Sequence, residues 1–147
     1  MKSNEQVLQN MVRIARSGRD FFAQLYPRVT DPEVRMAFSY VTDVKNRLVN
    51  DLTPYVTATA VDEQDRTSPA ALVEKAYAEA RRHFRGDAPA ELGPALSIGE
   101  MHLCRLLERA FEDAASPPQL KRVLKGYYAE LMLCRQAMWK LQARRAA

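Results

Sequence analysis

The sequence predicts an all-α fold. Four long stretches repeat apolar residues at alternating three- and four-residue steps, proline or glycine punctuates their ends, and no two-residue alternation competes anywhere. Their order is a hairpin, a long break holding a shorter helix, and a second hairpin. That order predicts an antiparallel four-helix bundle made of two helical hairpins, with a long crossover carrying a short extra helix.

The first helix is expected from Ser3, with Gln6 three residues on as a capping box. Val7, Met11, Ile14, Phe21 and Leu25 form its stripe, and Gly18 fills the missing place. Pro27 stops it, because proline lacks an amide proton and crowds the preceding turn. Thr30-Asp31-Pro32-Glu33 then supplies a cap, a proline suited to a first turn, and an acid at the positive end of the next helix dipole. Val34, Ala37, Val41, Val44, Leu48 and Leu52 make the second stripe, which Pro54 closes. So short a connection forces a hairpin.

Tyr55 to Thr67 shows no helical period and reads as an extended crossing loop. Ser68-Pro69 opens the shorter helix, with Leu72, Val73, Ala76, Tyr77, Ala80 and Phe84 on one side. Arg81, Arg82 and Arg85 favour its C-terminal end, and Gly86 terminates it. The third long helix begins near Asp87 or only at Pro94, with Leu96, Leu103, Leu106 and Ala110 on its core face and Gly99 in the stripe. Ser116-Pro117-Pro118-Gln119 breaks it and caps the fourth long helix. There Leu120, Leu124, Tyr127, Leu131, Cys134, Met138 and Leu141 alternate strictly, which is the seam of a bundle packed at about +20°.

A chain of 147 residues fits one domain, residues 1–147. The polar start, Met1 to Gln6, does not resemble a signal peptide, and no apolar run is long enough to span a bilayer. Cys104 and Cys134 are too few for a disulfide framework. A cytoplasmic protein with no membrane association is expected. Residues 87–116 carry 2 positive and 6 negative side chains, whereas residues 117–147 carry 7 positive and 1 negative. Such opposition suits a charge-complementary hairpin better than a nucleic-acid patch. No stacking aromatics or groove-reading motif accompanies the basic residues or Arg144-Arg145, so nucleic-acid binding is not expected.

Two hairpins joined by one long crossover form the ferritin-like arrangement. Ser17-Gly18-Arg19-Asp20-Phe21-Phe22, Asp31-Pro32-Glu33, Phe38, Gly99-Glu100 and Tyr128-Ala129-Glu130-Leu131 occur in matching order and spacing over nearly the whole chain. In these the sequence resembles a small bacterial family of four-helix proteins of the ferritin-like superfamily, related to stress-associated ferritin-like proteins. The resemblance implies the fold and no particular reaction.

A di-iron site in such a bundle needs one Glu from each of two helices and Glu-x-x-His from each of the other two. Here Asp43-Val44-Lys45-Asn46-Arg47 offers no imidazole, Glu130-Leu131-Met132-Leu133 keeps only the acid, and His83 and His102 are wrongly placed. Asp20, Asp43, Glu100 and Glu130 are the candidate carboxylates. They are expected to pair with arginines such as Arg47 and Arg105, or to reach solvent, and not to hold a metal. A second stripe, Tyr128, Met132 and Trp139, with Met36 and Tyr40 on the second helix, calls for cover by the crossover helix or another subunit. The expectation is a degenerate, metal-free bundle without catalytic residues or cofactor. It acts as a non-enzymatic binding or assembly module, as a homo-oligomer (dimer) through apolar helix faces. Its rivals are a metal-binding ferritin relative in iron or oxidative-stress handling, and a DNA-associating stress protein.

Overall fold

A computed structural model describes residues 4–56, 67–84 and 92–143, with side chains undescribed at 4, 93–97 and 142–143. Five α-helices account for nearly all of them: α1 (Asn4–Leu25), α2 (Pro32–Leu52), α3 (Pro69–His83), α4 (Gly93–Glu112) and α5 (Pro118–Ala143). There is no strand among the described residues. Ser3, residues 57–66 of the crossing loop, Arg85-Gly86, Asp87, Arg144-Arg145 and the side chain of Leu96 lie outside the description.

Helix ends follow local chemistry. The Asp31 carboxylate accepts a hydrogen bond from the Glu33 amide at 2.9 Å, and Pro32 fills the first turn of α2. Ser68 does the same for α3, accepting from the Ala71 amide at 3.1 Å. Of the two possible starts for the third long helix, the later is realised, with Pro94 in the first turn of α4. Pro27 and Pro54 each sit in a single 3₁₀ turn, Tyr26–Arg28 and Thr53–Tyr55, that closes the helix before it. The Ser116 hydroxyl donates to the Ala110 carbonyl at 2.7 Å and ties the α4–α5 connection to the end of α4.

Each helix runs against the one before it. Phe22 meets Phe38 while Arg19 reaches Asn46, so α2 descends alongside α1. On the other side of α1, the Ala70 amide donates to Asn10 at 3.2 Å, Arg13 pairs with Glu74, and Arg28 donates to the Phe84 carbonyl at 2.6 Å. The helix α3 therefore ascends parallel to α1. On α2 and α5, Arg47 bonds Glu130 at 3.1 Å and Tyr127 donates to Asp51 at 2.5 Å, so these two are antiparallel. Helix α1 packs on α2, α3 and α4, while α5 packs on α2 and α4.

Every residue of the α5 stripe is buried, as are Val7, Met11, Ile14, Phe21 and Leu25 of α1. Two expectations fail. Leu72 is 46% exposed, because α3 buries only the narrow stripe Ala70, Val73 and Tyr77 in the groove between α1 and α4. Phe84 is buried but lies past the end of α3 in extended backbone. The position of α3 removes one of the two covers expected for the second stripe of α5: it packs on α1 and α4, and Trp139 is 70% exposed in the single chain.

Candidate functional site: a buried ion pair at the bundle centre

Residues 38, 41, 45, 48 and 52 of α2 alternate by three and four, and all five side chains are buried. Four are apolar; the fifth is Lys45. From α4, Glu100 occupies the same register as Leu103, Leu107 and Ala110 and is buried with them. The two ends meet in the interior: Lys45 Nζ lies 2.6 Å from Glu100 Oε1, with the side chains 0% and 2% exposed.

Tyr77 completes the centre from α3. Its ring stacks on Phe21 at 4.6 Å between centroids and meets Phe22 edge-on at 6.5 Å. Its hydroxyl enters the space left by two glycines. A Cβ on Gly99 would overlap Tyr77 Oη and stand 2.9 Å from Cζ. A Cβ on Gly18 would stand 2.7 Å from Lys45 Cδ and 3.2 Å from Tyr77 Oη. Helices α1 and α4 therefore carry glycine in their stripes so that a phenol and a lysine stem can lie against their backbones.

The contact between Lys45 and Glu100 is an ion pair by distance, but its angles are poor for a hydrogen bond. Lys45 Nζ, Tyr77 Oη and both Glu100 oxygens have no hydrogen-bond partner of good geometry. Burial presses Lys45 toward its neutral form, yet the Glu100 charge outweighs that and holds the ammonium above the ordinary lysine range. Tyr77 is pushed up to about 12, chiefly by burial, with Lys45 opposing and Glu100 assisting. Cys134 on α5 is likewise pushed up to about 12 by burial and then by Glu100, and Cys104 is raised by the same two causes. Both cysteines are free and buried.

Of the four candidate carboxylates only Glu100 points inward. Asp20 is exposed and accepts from Arg19 at 3.0 Å. Arg47 bridges Asp43 and Glu130, at 3.0 and 3.1 Å, on the outer surface between α2 and α5. Arg105 lies instead beside His102 and Leu72 in a groove between α3 and α4. Among the described residues no group of three or more His, Cys, Asp or Glu could hold a metal ion. A di-metal centre does not fit the described interior, because Glu100, the one buried carboxylate among the described residues, is already faced by a lysine ammonium.

A lysine nucleophile needs its pKa lowered, and a reactive cysteine needs a thiolate. Here the shifts run the other way for Lys45, Cys104 and Cys134. Glu100, expected to pair with an arginine or to reach solvent, is instead buried against Lys45, which the sequence reading named only within a segment that offers no imidazole. The signal for the burial of Lys45 was present in its place at the three-four spacing of Phe38, Val41, Leu48 and Leu52. Among the described residues no helix is long and apolar enough to cross a membrane. Family models, curated proteins and solved structures were each compared with the chain, and none matches it.

Proposed function

We propose that the chain is a ferritin-like bundle in which an internal ion pair stands where a di-metal centre is expected, and that it is a non-enzymatic binding or assembly module. The observation that carries this reading is the Lys45–Glu100 pair, 2.6 Å apart and out of contact with water. An ammonium supplies in place the positive charge that a metal would bring to a buried carboxylate. Helix packing supports the ferritin-like part: α1 and α2 form one hairpin, α4 and α5 another, and α1 packs on α4 while α2 packs on α5. The raised pKa values of Lys45, Tyr77 and Cys134 support the non-enzymatic part, since each group rests in its less reactive form. A cytoplasmic setting is a proposal from the composition and apolar patterning of the sequence, and a link to stress is one from the sequence resemblance alone.

Elemental analysis of protein purified after growth in iron-rich medium tests the reading. Far less than one iron per chain is expected after desalting, and no gain in thermal stability on adding Fe²⁺ or Mn²⁺. Stoichiometric metal that disappears in Glu100→Gln would overturn it.

A further inference from the structure

Helix α5 carries a second seam beside its buried one. Lys125, Tyr128, Met132, Arg135 and Trp139 step by three and four along one face, and all but the half-buried Met132 are exposed. At the α4–α5 connection end of this face lies an apolar groove of about 290 Å³ lined by Leu107, Glu108, Phe111, Glu112, Lys125 and Tyr128. That volume suits one large side chain better than a drug-sized ligand. Trp139 stands on the same face, about 17 Å further along the helix at 1.5 Å per residue. We infer that two copies of the chain pair through the outer face of α4 and α5, antiparallel about Met132, each seating its Trp139 in the groove of the other.

The register follows from position. A two-fold axis crossing α5 beside Met132 exchanges Trp139 with the turn holding Lys125 and Tyr128, so knob and groove are brought together twice. Charge agrees with this arrangement. Glu108 and Glu112 form the acidic rim of the groove, and Tyr128 donates to Glu108 at 3.3 Å. One turn before Trp139 stands Arg135, which the axis carries to the level of the partner's Glu108. The Lys125 stem can flank the incoming indole ring, as a cation does over an aromatic face. Buried Trp, Tyr and Arg are the residues on which stable interfaces most often depend. The alternative cover, helix α3, packs elsewhere. The inference rests on reading the bundle as an assembly module and names its partner as a second copy.

Sedimentation velocity across micromolar concentrations tests it. The unaltered chain is expected to be a dimer, and Trp139→Glu to raise the dissociation constant on the order of 30-fold or more. Helical circular dichroism should not change, because Trp139 is exposed in the single chain. Arg135→Glu should weaken the dimer, and adding Glu108→Arg should restore it. Met36→Glu, on the outer face of α2 and 74% exposed, should leave it intact. A chain that stays monomeric throughout would overturn the inference, and would leave the metal-free centre standing. So would a dimer indifferent to Trp139→Glu, or one split by Met36→Glu alone.

Discussion

Lys45→Met should lower the unfolding free energy by about 3–5 kcal/mol, the cost of leaving one charge of a buried pair without its partner. Methionine matches the unbranched stem that lies against Gly18, so packing changes little and the loss reports the missing charge. Glu100→Gln should cost about as much from the other side. The double variant Lys45→Met with Glu100→Met should recover most of the loss, because two desolvation costs vanish together. Midpoints of urea unfolding at unchanged slope provide the measurement. Single variants that lose under about 1 kcal/mol would place the pair among surface-like ion pairs and contradict its burial.

Glu100→Gln should also reverse a pH dependence. In the parent, Lys45 keeps its proton to higher pH when folded than the ordinary lysine value of about 10.4. The native state therefore binds more protons than the unfolded chain in alkali. The stability from the pair is complete below the unfolded value and falls as pH rises through the folded one. Tyr77 and Cys134, each raised to about 12, act in the same direction. In Glu100→Gln, burial is the main influence left on Lys45, and it lowers the folded value below the unfolded one. Stability relative to the parent should then rise as pH approaches the ordinary lysine range.

Gly99→Ala should cost about 1–3 kcal/mol despite the gain of up to about 1 kcal/mol that alanine normally brings to a helix interior. The added methyl meets Tyr77 Oη and Cζ, and this ring has nowhere to go while it is stacked on Phe21 and fully buried. Gly126 on α5 is the control. A Cβ there meets nothing within 4 Å, so Gly126→Ala should stabilise by up to about 1 kcal/mol. Tyr77→Phe in the Gly99→Ala background should recover part of the loss by removing the nearest clashing atom, leaving the ring carbon at 2.9 Å. Equal effects of Gly99→Ala and Gly126→Ala on thermal midpoint would show that the cradle is not tight.

Local chemistry made much of this fold legible. Asp31-Pro32 and Ser68-Pro69 announce helix starts because a carboxylate or hydroxyl can accept from a free amide and proline needs no partner there. The α5 seam from Leu120 to Leu141 is readable because burial on one face imposes its period on the sequence. What was not legible is pairing across helices. Gly18 and Gly99 read as gaps in two stripes, but the Lys45 stem from α2 and the Tyr77 phenol from α3 fill them, and nothing local to either glycine names those residues. Lys45 and Glu100 are 55 positions apart, and although each sits in the register of an apolar stripe, nothing local to either names the other. Only their shared depth turns them into one buried pair. Leu72 misled in the opposite sense, since an apolar residue one step from Val73 lies about 100° away around the helix and faces outward.

A charged lysine is sealed inside the bundle by one carboxylate. Heteronuclear NMR of protein labelled at lysine, followed through an alkaline titration with Lys45→Met to assign the signal, tests it most directly. One side-chain resonance should keep the chemical shift of an ammonium to higher pH than every exposed lysine, for as long as the protein stays folded. A Lys45 signal that titrates at or below the exposed lysines would mean that Glu100 does not hold its charge, and would contradict the account.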